Sequence, residues 1–235
     1  MFSICITPGK IFLVLLYIFG VKFTSAAETS AENAVTDYPI SLFPDNDLNV
    51  WQAPAEIRKM FTYYWSGFDE ECRPIWVGEL GKWDARKVIE RGEDSKKMLR
   101  KYIYQGIYRL LESLKFNNTD CPPPKEVIGI LDVEGFNYRQ IASTATVSYL
   151  LNIVKEFVPV MMKYVQSVYF INTNFAANGL VTIARPILGE FMARVEVYGT
   201  RKSTWLPAIL KRFPKEQLPE KLGGKKGFTP LKSYG

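Results

Sequence analysis

Histidine is absent from this chain of 235 residues. Its absence excludes Ser-His-Asp and Cys-His nucleophile systems, imidazole zinc sites and histidine-based pH switches. The sequence also lacks internal repeats and low-complexity runs, so solenoid and disordered classes do not apply. Cysteine is scarce, with three residues in all. An excess of one charge is lacking too: the formal net charge is +6, too weak a basic balance to point to nucleic acid. What remains is an ordinary apolar fraction, 47%, in a chain long enough for one domain with a sizeable core.

The N-terminus reads as an address. Lys10 precedes the apolar run "IFLVLLYIFG", which is too short to span a bilayer comfortably, and Ser25 and Ala27 are small residues before a cut after Ala27. We read residues 1–27 as a cleaved signal peptide, with secretion or a secretory-pathway lumen as the expected location. An uncleaved N-terminal membrane anchor is the alternative. Cleavage removes Lys10 and Lys22 and no acid, leaving 28 basic and 24 acidic residues, net +4. Cys5 leaves with the signal, so Cys72 and Cys121 remain, either paired as an exported protein allows or as two buried thiols. Asn117-Asn118-Thr119 is a glycosylation sequon, placing a glycan on Asn117 in an exported protein.

Residues 28–58 are expected to be an N-terminal linker or a surface-hugging arm. Beyond them, "KMFTYYWSGFD" and "RPIWVGEL" flank a tight connection and read as two strands. "SKKMLRKYIYQGIYRLLESL" has apolar residues at helical spacing. "EVIGILDV" and "SVYFINT" are continuous apolar runs, as in strands covered on both faces. "YRQIASTATVSYLLNIVKEFV" reads as a long helix stopped near Pro159, and "RVEVYG" as a short strand. The alternation of strands and helices predicts an α/β domain with a mostly parallel sheet.

Three groups could carry chemistry. Asp132 and Glu134 alternate at a strand end and could form an acid/base pair, but an aspartate pinning the turn at Gly135 accounts for them as well. Tyr63, Tyr64, Trp65, Trp76 and Trp83, with Phe136, Phe170 and Phe175, could line an apolar pocket or simply fill a core. Lysines of the basic tail (225–235) could rest on anionic lipid or be a solvated face. A fourth segment is unusual. In "NGLVTIARPILGEFMARV", residues 178–195, Leu180, Ala184, Ile187, Leu188, Phe191 and Val195 share one face. The opposite face holds Thr182, Pro186, Gly189 and Ala193, almost without charge. Proline cannot continue the ladder, so a break is expected at Arg185-Pro186.

"YYWSGFDEECRPIWVGELGKWD", "ILDVEGF", "EFVPVMMKYVQSVYFINTNFAANGLVTIARPIL" and "FPKEQLPEKLGG" together resemble, in order and spacing, the CRAL-TRIO lipid-binding family over residues 59–224. The resemblance implies a five-stranded, mainly parallel sheet flooring a hydrophobic pocket, with residues 178–195 as a movable gate helix. It implies a non-enzymatic carrier without cofactor or catalytic metal. The carrier would take a phospholipid, retinoid, tocopherol or similar lipophile and exchange it at a transient membrane surface. On this reading Trp76, Phe136, Ile141, Phe170, Ile183, Ile187 and Phe191 touch ligand tails and Arg185 meets a polar head. The alternative is a secreted interaction module of the same fold with a filled pocket. The chain departs from the family in its short N-terminal region and in Cys72, where a glycine is common before Arg-Pro. Phosphatidylinositol-binding members pair a Lys with a Glu at the positions of Arg185 and Val160.

Overall fold

The computed structural model describes residues 43–116 and 122–235. The expected signal peptide (1–27), the first part of the 28–58 arm, Asn117 and Cys121 lie outside the described residues. In chain order the elements are α1 (Ala55–Met60), β1 (Tyr63–Phe68), β2 (Pro74–Gly78), α2 (Ala85–Ile89) and α3 (Glu93–Glu112). They continue with β3 (Val127–Asp132), α4 (Thr144–Tyr164), β4 (Val165–Thr173), α5 (Phe175–Leu188), β5 (Val195–Gly199), α6 (Lys202–Arg212) and β6 (Lys232–Tyr234).

The strands form one mixed six-stranded sheet in the order β5-β4-β3-β2-β1-β6. β2, β3, β4 and β5 run parallel, while β1 pairs antiparallel with both β2 and β6. The parallel part follows the expectation, since each crossover carries a helix long enough to return the chain. The sixth strand does not: it comes from the segment read as a basic tail. Lys232–Tyr234 extends the sheet beside β1, and the Tyr234 ring stacks on Tyr63 at 5.2 Å, with the Arg109 guanidinium 4.0 Å from the Tyr234 ring centre. The cationic sequence around it hid one well-placed aromatic.

The two faces of the sheet are covered differently. On one, Ile75, Val77, Ile128, Ile130, Tyr169 and Ile171 pack against Trp205 and Ile209 of α6 and then Phe213, Leu218 and Leu222. On the other lie α3, α4 and α5. α3 buries Leu99, Tyr102 and Leu111 against the aromatic side chains of β1 and β2. The described part of the arm is docked rather than loose: Phe43 and Leu48 are buried on α3, and Gln105 donates to the carbonyls of Leu48 and Trp51 at 2.8 and 2.7 Å.

Two helix boundaries differ from expectation. α4 starts at Thr144, capped by the Ser143 hydroxyl on the Thr146 amide, and runs through Pro159 to Tyr164. α5 runs through Pro186 to Leu188 without a break at Arg185-Pro186. Both prolines are exposed, so their rings meet solvent rather than a neighbouring element, and each removes one ladder bond near the end of a helix whose other bonds hold. The helical path of α5 stops instead at Gly189, whose φ of 52° lies in the left-handed region that glycine tolerates, and a 3₁₀ segment (Gly189–Arg194) leads into β5. α4 is long and apolar enough to cross a membrane by length and composition, yet Ile153, Phe157, Val160 and Tyr164 form a stripe buried in this fold.

The β1–β2 hairpin is pinned by a buried carboxylate. Asp69 accepts from the amides of Glu71 and Arg73 at 3.0 and 2.8 Å and from the guanidinium groups of Arg73 and Arg212 at 2.8 and 3.2 Å, and its side chain is fully covered. Cys72, in the same turn, has a φ of 63° and is disulfide-bonded. It therefore adopts the left-handed conformation that a glycine would supply at this position, so the turn geometry survives the exchange. Replacing Asp69 by Asn removes the buried one of the two carboxylates that Arg73 and Arg212 share and leaves them the exposed Glu71, at 2.6 and 3.3 Å. Asp69→Asn should lower stability by about 3 kcal/mol in equilibrium urea unfolding.

Candidate functional site

On the central strands, alternate residues face opposite layers. One set is dry: Ile128, Ile130 and Ile171 are all 0% exposed. The other set, Gly129 and Leu131 of β3 with Val168 and Phe170 of β4, is only half-buried although it sits in the middle of the sheet. A side chain added at Gly129 would meet nothing nearer than Val168, at 3.7 Å. Interior positions of a covered sheet are normally packed to crystal density. The layer of α4 and α5 therefore stands off β3 and β4 and leaves an apolar trough.

α5 roofs this trough lightly. Of its 14 residues only Ala177 and Ala184 are fully buried. Leu180, Val181, Ile187 and Leu188 are half-buried on the same side, as the helical wheel expects. Asn174 starts the helix: its side-chain oxygen accepts from the Ala177 amide at 3.1 Å and its amide group donates to the Phe136 carbonyl at 2.5 Å. That bond ties the first turn of the roof to the loop after β3.

The expected ligand contacts separate into three groups. Phe136, Ile141 and Phe170 come together with Leu80, Val133, Ala177 and Leu180 in one apolar cluster beneath the first half of α5. Ile187 is half-buried on the inner side of the same helix. Trp76 and Phe191 belong instead to the main core, 6% and 2% exposed. Trp76 is stacked 6.2 Å from Trp65 and 6.1 Å from Tyr234, with its indole N–H on the Ser113 hydroxyl at 3.0 Å. Ile183, at 53% exposure, and Arg185 point outward, away from the trough. Leu131, Val168 and the half-buried Gly129 escaped the sequence reading, because a continuous apolar strand does not show which of its faces is less packed. Gly129 inside such a strand was the available signal.

Asp132 and Glu134 do not form a catalytic pair. Asp132 accepts from the Glu134 amide at 3.1 Å and from Asn172 at 2.9 Å, and Lys221 lies 3.5 Å away, while Glu134 is exposed. Lys221 also bonds Glu79, which accepts from Thr62 and Lys82 at 2.8 Å, and Trp205 donates to Asn172 at 3.0 Å. The chain of contacts staples the segment after α6 to the carboxyl ends of β2, β3 and β4. Among the described residues no cluster of three or more His, Cys, Asp or Glu could hold a metal ion.

Burial alone would raise the Glu79 carboxyl, but hydrogen bonds from Lys221, Lys82 and Thr62 outweigh it and bring it from 4.5 to about 2. A carboxyl depressed in the folded state contributes stability that is complete above its unfolded value and lost as pH falls through the folded one. Between pH 4.5 and about 2, the wild type should lose stability that a Glu79→Gln variant has already lost at neutral pH. Urea midpoints measured across that window should converge toward its acid end.

The comparisons with known proteins agree with this fold. The CRAL/TRIO domain profile matches residues 58–224, and the chain belongs to that family. It is 26% identical over 175 residues to the SEC14 cytosolic factor of Eremothecium gossypii, covering 72% of this chain and 53% of that protein. It is 22% identical over 184 residues to a CRAL-TRIO domain-containing protein of Saccharomyces cerevisiae, again covering 72% of this chain and 53% of the relative. The chain thus spans about half the length of the curated relatives it matches. Among solved structures, Sfh5 superposes with a TM-score of 0.52 over 79% of this chain and 62% of its own, at 16% identity, which shows the fold alone. The family is one of lipid-binding and lipid-transfer proteins, in general not enzymes.

Proposed function

We propose that this protein is a non-enzymatic carrier of one lipophilic molecule, which lies in the trough between β3–β4 and the α4–α5 layer. The half-buried state of Gly129, Leu131, Val168 and Phe170 at the centre of the sheet carries this reading. Phe136, Ile141, Phe170 and Ile187 line the space. Burying about ten methylenes there contributes on the order of 8 kcal/mol before the costs of association, so affinity needs no special chemistry. Ligands of the phospholipid, retinoid or tocopherol kind fit an apolar trough of this sort. Arg185, exposed on the roof helix, would meet a polar head or an anionic membrane lipid during exchange.

Protein from a secretory host should yield one lipid species by mass spectrometry of organic extracts and should take up a fluorescent lipid or retinoid. Gly129→Phe projects a ring into the proposed trough from a position where a Cβ meets Val168 at an ordinary 3.7 Å, so it should abolish uptake in protein that circular dichroism shows to be folded. Purified protein without lipid, and uptake indifferent to Gly129→Phe, would show a trough filled by the protein itself.

The location proposed is the secretory pathway or the exterior, with the signal removed after Ala27, a glycan on Asn117 and Cys72 paired with Cys121. The disulfide of Cys72 and the apolar run behind Lys10 support it. N-terminal sequencing should begin at Glu28, glycosidase treatment should lower the mass, and a non-reduced tryptic digest should join the peptides of Cys72 and Cys121. An N-terminus retained at Met1 sinks the cleavage.

A further inference from the structure

α4 carries two apolar stripes. One faces α3 and the core: Tyr149 donates to the Lys96 carbonyl at 2.9 Å, the Phe157 ring meets Tyr104 edge-on at 5.2 Å, and Ile153 and Val160 are buried beside them. The other holds Val147, Leu151, Val154 and Val158 and lies roughly a third of a turn around the helix. It is turned away from α3 and toward α5, against which α4 packs. The outward side of α4 is different again, with Ser148, Asn152, Lys155 and Pro159 exposed. The four side chains of the second stripe are half-buried, yet they join none of the three apolar clusters of the fold. Leu131 of β3 and Val181 and Ile187 of α5 are in the same state. All of these side chains are aliphatic, without one polar or aromatic group among them.

The shape of this unfilled region is a straight, narrow slot. Spacings of four, three and four residues keep the stripe on one line along the helix. From Val147 to Val158 it runs about 16 Å at the α-helical rise per residue. One leaflet of a bilayer has a hydrocarbon depth of about 15 Å. The width is set by the sheet. Trp76, Gly129, Val168 and Val195 lie side by side on four neighbouring strands. Trp76 is buried in the main core, and Val168 and Val195 pack against it. Gly129 is therefore the one position in this row without a side chain, and a Cβ placed there would stand 3.7 Å from Val168. Neighbouring strands are about 4.8 Å apart, so the gap over Gly129 is one hydrocarbon chain wide.

We infer that the trough takes a single unbranched acyl chain, about as long as one membrane leaflet is deep, laid along Val147, Leu151, Val154 and Val158 and over Gly129. The inference rests on the carrier reading and narrows it. A ring system or a pair of chains needs more width than one strand position without a side chain provides. The chain is the chemistry recognised, and a free fatty acid or a lysophospholipid can supply it.

The test uses the delipidated full chain and displacement of a fluorescent fatty acid by octanoate, laurate, palmitate and arachidate. Affinity should rise about fourfold per added methylene up to a length near that of palmitate, then level off once the slot is full. Palmitoyl-lysophosphatidylcholine, run beside palmitate, names the source: displacement by either one or by both supports the inference. Val154→Phe, in the middle of the stripe, should move the plateau to shorter chains. Ser148→Phe, on the exposed side of the same helix, should leave the series unchanged, with the folding of both variants checked by circular dichroism. The inference is overturned if affinity is indifferent to chain length, if folded Val154→Phe gives the wild-type series, or if retinol or a two-chain phospholipid displaces the probe better than palmitate. In that last case the carrier reading stands, whereas failure of every lipophile to bind sinks both.

Discussion

The unequal packing of the two sheet faces governs this molecule. One face is closed by α6 and the turns behind it, with isoleucines at 0% exposure and a buried Trp205. That face holds the strands from behind, while the larger buried cluster lies with α3 and α4 on the other side. The other face can then be left partly uncovered without loss of the fold. A sheet packed loosely on both sides could not hold an open trough, because each side would lack the contacts that fix strand register.

The polar contacts divide in the same way. Asp69 with Arg73 and Arg212, and Asp132 with Asn172 and Lys221, join the strands to α6 and the segment after it. Both buried carboxylates thus reinforce the closed side. On the trough side, the cluster of Phe136, Ile141, Phe170, Ala177 and Leu180 is wholly apolar. Non-directional contacts tolerate different occupants, whereas a buried charge would demand one counter-charge in one place.

Much of this architecture was legible from patterns with a single physical meaning. The runs "EVIGILDV" and "SVYFINT" read as strands and are, although covered on both faces was the expectation and one face proves only half-buried, and the inner stripe of α5 follows the helical wheel. The failures have specific causes. Prolines 159 and 186 looked like breaks, but a proline with its ring in solvent costs one ladder bond and leaves a helix otherwise intact. Lys232–Tyr234 looked like solvated tail, because pairing with an edge strand depends on backbone groups and leaves little trace in composition. Trp76 had the character of a pocket residue, but its ring is shared among Trp65, Tyr63 and Tyr234, contacts set by cross-strand register. Ile183 misled for a different reason: a wheel places its edge residues within a few tens of degrees, and that margin separates lining from solvent.

The same reasoning bears on how the roof helix can yield. α5 has two fully buried residues, both alanines, so its seat rests on small contacts and the half-covered sides of Leu180, Val181, Ile187 and Leu188. Its ends are firmer. Asn174 holds the first turn to the Phe136 carbonyl, and after Gly189 the chain re-enters the core at Phe191, 2% exposed. An element fixed at both ends and weakly packed between them lifts at low cost, because little apolar area is lost and few hydrogen bonds break. Gly189 can absorb the backbone change, since its left-handed φ carries no side-chain penalty. The weakness lies over the trough and the strength lies away from it, a distribution that would let an occupant exchange on the carrier reading proposed above.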